Sequence, residues 1–442
     1  MKINRFFAFF IVGSIFMGLF GNTKVYGNSN LGLPEFPMIT SSNIVLMDAD
    51  SKEVLFSINQ DLKSYPASTT KLLTALLVLE NCGLQDVVTY SENAVKSIEY
   101  GDANASISIG EELTVEQSLY CLLLRSANEV AYGLAEHISG NLSSFATLMN
   151  FKAKSIGAEN THFTNASGLT DEFHYTTPYD MALIASECFN NKELMKIAGY
   201  SGIYVIGPTN KSNFTRYYTP RYEMLEGGEF SYEYACGGKT GYTDAAGNCL
   251  VSFAEKDSLR LVCVVFNSGA SERYNDTKAL FDYYLNNYKK IYIDEFDASI
   301  SNSNIDFLDM TTSLTAKDNI TLGFEEDAYL LVPNKVRKEG LTTITTYYDS
   351  PGYVGNEGGF ACLSFFYENT NVGNATIYVK NINDTQDLYN NDDVITRTEY
   401  FYINIWFIVA GIVLVGIIIT ILIISNRKRW RYNNYLSKNL RF

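Results

Sequence analysis

Residues 403–424 form an apolar run interrupted only by Asn404 and Thr420, and that run restricts where everything else in the chain folds. About 20 apolar residues cross the hydrocarbon of a bilayer as a helix, which satisfies its own backbone hydrogen bonds there. The tail that follows, 425–442, carries Arg427, Lys428, Arg429, Arg431, Lys438 and Arg441 and no acidic residue. The positive-inside bias places that tail in the cytoplasm and everything before residue 403 outside. The expectation is a single-pass cell-membrane protein with an extracellular folded part. At the other end, Lys2 and Arg5 precede a shorter apolar run from Phe6 to Phe20, with Val25 and Gly27 placed like a cleavage site. This is the pattern of a secretory signal peptide over 1–27.

The formal charge of the 442 residues is −15; without the six tail cations and Lys2, Arg5 and Lys24, the expected exported part stands at about −24. Such a chain lacks the basic footprint that phosphate backbones require, so no nucleic-acid partner is expected. Seven cysteines, at 82, 121, 188, 236, 249, 263 and 362, show no short metal-type spacing; a zinc site is not expected. Cys121 in SLYCLLL and Cys263 in LVCVVF lie in apolar runs, which favours buried free thiols over a disulfide framework. Whether Cys249 and Cys263 face each other across a hairpin is left open by the sequence.

Between the two apolar ends, residues 43–57 alternate around Asp-Ala-Asp-Ser and predict a hairpin. From Thr69 to Leu79 leucines recur so densely that the pattern is a largely buried helix, with Ser68 near its start. Further helices are expected around 115–124, 129–138, 178–188 and 275–289, and strands at CLVSFAE and LRLVCVVF. Strands flanking a helical middle predict an α+β domain over 40–290. Short Thr-, Ile-, Val- and Tyr-rich segments over 291–380 predict a small all-β domain, and 381–402 reads as a linker to the membrane.

Three segments carry chemistry. In PASTTKLLTALL, Ser68 and Lys71 stand three apart and share a helix face, with Cβ atoms about 5–6 Å apart. A lysine whose pKa is lowered by desolvation or a nearby cation takes the proton that a serine must lose to become a nucleophile. In LLLRSANEVAYG, Ser126, Ala127 and Asn128 break two apolar helices; such a triplet caps helices, or it supplies a hydroxyl to relay a proton and an amide to hold a substrate backbone. In CGGKTGYTDAAGN, Lys239, Thr240 and Gly241 enter a strand. That arrangement forms a turn, or it lets a peptide lie along the strand edge with its carboxylate on Lys239 and Thr240.

The order and separation of these segments are those of the S-x-x-K, S-x-N and K-T-G set. With PASTTKLLTALLVLEN, SANEVAYGLAEHISG, THFTNASGLTDEFHYTTPYDMALIA and KTGYTDAAGNCLV, the chain resembles the low-molecular-mass penicillin-binding proteins that are serine-type D-alanyl-D-alanine carboxypeptidases, over roughly 43–290. The resemblance implies a β-lactamase/transpeptidase-like catalytic domain, followed by the β-rich region and the anchor. It implies Ser68 as acylated nucleophile, Lys71 as its base and Ser126 as proton relay. Asn128, Lys239, Thr240, Gly241, Tyr242 and Arg273 would bind substrate, with the backbone N–H groups of Ser68 and Tyr242 as oxyanion hole. The implied partners are a peptidoglycan stem peptide ending in D-Ala-D-Ala and β-lactams as inhibitors; no metal or organic cofactor is required. His137, His162 and His174, the three histidines, are expected to be structural, as is Asp180. Glu129 stands where the family commonly has Asp, and 208–226 follows the family pattern only loosely. A transpeptidase, a cross-link endopeptidase or a β-lactamase of the same fold stays open beside the carboxypeptidase, as does a wall-binding sensor without turnover.

Overall fold

Alternation along two strands explains the architecture. In Asn43–Asp48 (β1), Val45 and Met47 enter one apolar core while Ile44 and Leu46 enter another; in Leu259–Ser268 (β9), Val262, Val264 and Phe266 take the first side, Leu261, Cys263 and Val265 the second. A strand with both faces apolar has to be covered on both faces. The computed structural model describes residues 31–293, 320–324, 327–347 and 359–382, and there it is covered. A five-stranded antiparallel sheet runs β2 (Val54–Ile58), β1, β9, β8 (Gly247–Lys256), β7 (Ala235–Thr243).

On one face pack helices α1 (Lys71–Asn81), α3 (Val115–Leu124), α4 (Asn128–Ser139), α5 (Leu142–Ile156), α6 (Pro178–Asn190) and α7 (Lys192–Ala198), with the short α2 (Glu92–Lys96) beside them. On the other lies α8 (Glu272–Asn287), contributing Tyr274, Leu280, Phe281 and Tyr284. Helix α1 is buried from Lys71 through Val78, as a helix apolar on all sides must be. Local capping agrees: Thr114 and Gln117 form a capping box at α3, Thr177 caps α6 with Pro178 at its first position, and Gly140 ends α4 left-handed. The expected hairpin is β1–β2, and the expected strands and helices coincide with β8, β9, α1, α3, α4, α6 and α8. Helices α5 and α7 and the small pairs β3–β4 (Val87–Thr89, Glu112–Thr114) and β5–β6 (Tyr204–Ile206, Arg216–Tyr218) are additions.

The boundary expected at 290/291 falls inside strand β10 (Tyr288–Tyr292), which pairs with β12 (Tyr329–Pro333). A four-stranded sheet follows, ordered β11 (Ile320–Gly323), β15 (Thr370–Ile382), β14 (Gly359–Tyr367), β13 (Leu341–Tyr347). Leu31, Ile291 and Ile293 share an apolar cluster with Leu330, Val332 and Phe365. Among the described residues no helix is long and apolar enough to cross a membrane; the runs at 1–27 and 403–424 lie outside them. All seven cysteines are free thiols, and Cys249 does not oppose Cys263, which pairs in register with Ser252.

Candidate active site

The cleft is built where α1 begins. After Pro66 the backbone turns through Ala67 at φ +46, a left-handed value rare for a residue with a Cβ, and a 3-10 turn over Ala67–Thr70 leads into α1. That turn leaves Ser68 half-buried while Lys71, the first α-helical residue, is wholly buried. The Lys71 Nζ atom lies 2.9 Å from Ser68 Oγ, 2.7 Å from Asn128 Oδ1 and 2.6 Å from the Ser167 carbonyl oxygen. Asn128 Oδ1 and the carbonyl can only accept. A neutral amine therefore commits both N–H bonds to them, and its lone pair is left facing the Ser68 hydroxyl, which donates. Burial, then the nearby Lys239 charge, hold the Lys71 pKa well below the ordinary lysine range, against a smaller opposing pull from Glu129. Among the described residues, neither Lys71 nor Lys239 forms an ion pair with a carboxylate.

The second stretch forms the break between α3 and α4. Ser126 adopts φ +60, and the turn is tied down by Ala127 N–H to the Cys121 carbonyl and Asn128 N–H to the Ala103 carbonyl. The strained turn aims Ser126 Oγ at Lys239 Nζ, 2.9 Å away, while that amine also donates to the Thr240 carbonyl at 2.8 Å. Lys239 is buried, and burial followed by the charges of Arg221 and Arg273 pushes its pKa down to about 7. Two amines thus face one cleft: one bonds Ser68, the other Ser126.

The third stretch is β7, the terminal strand of the sheet. It lies directly against the nucleophile turn: a Cβ added at Gly241 would meet Ser68 N at 3.0 Å and the Ala67 Cβ and Pro66 carbonyl oxygen at 3.1 Å. A side chain there would force the strand and the nucleophile turn apart by a few tenths of an ångström. Thr240 is half-buried, and Tyr242 is 61% exposed with its hydroxyl donating to Asp244. Arg273 lies behind the strand, its guanidinium 3.2 Å from the Ala270 carbonyl oxygen, 3.1 Å from that of Cys249 and 3.5 Å from that of Gly241. Its shortest strand contact is therefore to β8, and only the 3.5 Å approach to Gly241 reaches the strand that carries Thr240. Direct hydrogen bonds thus join Ser68, Lys71 and Asn128 in one set and Ser126 and Lys239 in another; Gly241 lies against the Ser68 turn, Arg273 reaches the Gly241 carbonyl, and Tyr242 is exposed.

Several contributors escape a reading of side-chain motifs. The Ser167 carbonyl holds Lys71, and a backbone oxygen leaves no trace in residue type. Glu129 is buried, one carboxylate oxygen accepting from Ala105 N at 2.7 Å and Ile107 N at 3.5 Å, the other without a hydrogen-bond partner; burial raises its pKa. Half-buried Arg216 forms an ion pair with buried Glu111, which also accepts from the Thr209 hydroxyl at 2.8 Å, so the loosely patterned 208–226 is fastened to the 105–112 loop. Of the histidines, His137 and His162 are exposed and His174 is buried against Thr70, one residue from Lys71.

A serine bonded to a buried, charge-depleted amine at a helix start, opposite a second serine–lysine pair on a strand edge, defines a serine enzyme of acyl transfer on a mixed α/β fold. Comparison with known proteins agrees. The D-alanyl-D-alanine carboxypeptidase DacF of Bacillus subtilis is 33% identical over 255 residues, covering 56% of this chain and 63% of that protein, less than two thirds of its length. A crystal structure of a D-alanyl-D-alanine carboxypeptidase from Mycobacterium tuberculosis H37Rv is 28% identical, covers 57% of this chain and 93% of that one, and superposes with a TM-score of 0.52. Penicillin binding protein 5 from Haemophilus influenzae, 22% identical with a TM-score of 0.62 over 79% of this chain and 99% of that one, shares the fold. The model of the D-alanyl-D-alanine carboxypeptidase family, peptidase family S11, matches residues 32–270, more than half of the 442, and the chain belongs to that family.

Proposed function

We propose that the chain removes the terminal D-alanine from peptidoglycan stem peptides ending in D-Ala-D-Ala, through an acyl-enzyme on Ser68. The observation that carries this is the Lys71 amine, buried, bonded to two acceptors and facing the Ser68 hydroxyl. Lys71 takes the Ser68 proton as Oγ attacks the penultimate carbonyl, and the backbone N–H groups of Ser68 and Tyr242 receive the oxyanion. Ser126, bonded to Lys239, delivers a proton to the departing amine. Lys239 and Thr240 receive the terminal carboxylate, with the Arg273 guanidinium at the Cys249 carbonyl of β8 and 3.5 Å from the Gly241 carbonyl of β7. Asn128, its oxygen committed to Lys71, offers its amide N–H groups to the acyl chain. Water then releases the acyl-enzyme. A β-lactam acylates the same serine and stays, because its leaving group remains tethered.

The same reading puts catalysis outside the cytoplasm, with 1–27 a signal peptide, 403–424 a spanning helix and 425–442 a cytoplasmic tail; the basic tail and the two apolar runs support it. The strands over 291–380 serve as a spacer domain that sets the cleft above the lipid. Mass spectrometry of a stem pentapeptide after incubation tests the reaction: loss of one D-alanine is expected from the wild type and none from Ser68→Ala. Cleavage of cross-linked muropeptides alone, or transfer to an added amine without hydrolysis, would replace this reading with an endopeptidase or a transpeptidase.

A further inference from the structure

The Ser68 N–H proposed to receive the oxyanion belongs to the peptide plane whose other end is the Ala67 carbonyl. In a trans peptide those two groups point in opposite directions, so whatever grips the carbonyl aims the N–H. Thr70 Oγ1 grips it, 2.8 Å from Ala67 O, and is itself 3.0 Å from His174 Nε2. The Thr164 backbone N–H, 3.1 Å from His174 Nδ1, can only donate. That fixes the tautomer: Nδ1 accepts, Nε2–H donates to Thr70 Oγ1, and the Thr70 hydroxyl is left to donate to Ala67 O. Every hydrogen bond in the chain then has one direction. Gly168, at φ +84, closes the other side; a Cβ there would lie 1.8 Å from Ala67 O and 2.8 Å from Thr70 Oγ1.

We propose that His174, acting through Thr70, is a positioning residue that holds the Ala67–Ser68 peptide plane so that the Ser68 N–H points into the oxyanion hole; this rests on the acyl-enzyme reading above. A restraint is needed there because Ala67 occupies a left-handed conformation that disfavours residues with a side chain. Left alone, the plane would relax and turn the donor away. The ring is suited to the task because it is buried against Phe163, at a ring-centroid distance of 5.3 Å, and burial pushes its pKa down to about 4, so it stays the neutral donor at ordinary pH. Thr69 supplies an internal control. Its hydroxyl makes the same local bond, 2.7 Å to the Pro66 carbonyl, is equally buried, and has no histidine behind it.

The test compares Thr70→Val, Thr70→Ser, His174→Gln and Thr69→Val in the full chain. It measures kcat and KM on a stem pentapeptide, the rate constant of acylation by a fluorescent penicillin, and the melting temperature. Thr70→Val and His174→Gln are expected to lower kcat and the acylation rate about tenfold to a hundredfold, a fraction of what loss of an oxyanion donor costs. KM should stay within about twofold, as for an interaction made only in the transition state. Thr70→Ser should restore the rate, and Thr69→Val should lower the melting temperature without lowering kcat. If Thr70→Val does not fold, His174→Gln carries the comparison with Thr69→Val. Equal kcat in the Thr69 and His174 variants, or a loss confined to KM, overturns the assignment. A wild type that penicillin never acylates overturns the acyl-enzyme reading along with it, whereas a wild type that acylates and variants that acylate as fast overturn this one alone.

Discussion

At the scale of single residues, the two cleft amines make opposite demands on stability and activity. Burying Lys239 lowers its folded pKa to about 7, below the ordinary lysine value it has when unfolded. Below pH 7 both states hold the proton and the folded state bears the full cost of burying a charge. Above pH 7 the folded state sheds the proton while the unfolded state keeps it, and the cost shrinks as pH rises. Lys239→Met is therefore expected to be inactive yet to gain more melting temperature, relative to wild type, at pH 6 than at pH 9; a pH-independent difference would contradict the burial of a charge there. For Lys71, whose pKa is held well below the lysine range by burial and by the Lys239 charge, protonation as pH falls removes the lone pair that faces Ser68. Penicillin acylation should decline towards acid pH, and Lys71→Ala should reduce it by orders of magnitude at every pH, as measured by the labelling rate. The sequence reveals these groups through residue type and spacing, since Ser68–Lys71, Ser126–Asn128 and Lys239–Gly241 are side-chain patterns. What it does not reveal is the geometry that backbone supplies: the Ser167 carbonyl, the left-handed turns at Ala67 and Ser126, and the reach of Arg273 into carbonyls.

At the scale of elements, legibility followed burial and capping. Helices α3 and α6 declare themselves because apolar periodicity is framed by Thr114–Gln117 and Thr177–Pro178. Strands β8 and β9 are visible as apolar runs separated by the turn residues Asp257 and Ser258, both at positive φ. Helix α5 was harder to see: only Phe145, Met149 and Ala153 along its length are buried, so its apolar stripe is thin. The β5–β6 hairpin was hidden for another reason. Its two short strands are held through a long-range contact between Glu111 and Arg216, residues that no local pattern couples. Glu111→Ala would leave the half-buried Arg216 guanidinium with the Ser106 carbonyl but without its carboxylate, and an expected loss of about 1–3 kcal/mol follows. The double variant Glu111→Leu/Arg216→Met should recover part of it in urea melts, because the guanidinium goes with the carboxylate, while the Thr209 hydroxyl and Ser108 N–H stay without their acceptor. A double variant as unstable as the single one would show that the ion pair is not what fastens the hairpin.

At the scale of the molecule, the strands after α8 are attached far from the chemistry. The sheet runs from β2 to β7, with the cleft against β7, whereas β12 docks at the β1–β2 turn. There the Tyr329 hydroxyl donates to Asp48 Oδ2 at 2.6 Å, and Lys290 reaches Asp50 at 2.6 Å, a carboxylate it shares with Arg260. Asp48 is wholly buried, and burial raises its pKa, so the Tyr329 bond is a main compensation for hiding a carboxylate. Tyr329→Phe removes that donor while keeping the ring under Lys290, which lies 4.1 Å from its centroid. The variant is expected to lose about 1–3 kcal/mol, the cost of a buried acceptor left short of a partner. Because no link of the Ser68–Lys71–Asn128 or Ser126–Lys239 contacts passes through Asp48, kcat on a soluble pentapeptide should not change. Activity on intact wall is the measurement that separates the two roles open to these strands. A spacer loosened at its attachment would lose activity on wall while keeping it on the soluble peptide. Equal retention on both would mean that the strands stabilise the catalytic part and do nothing to place it.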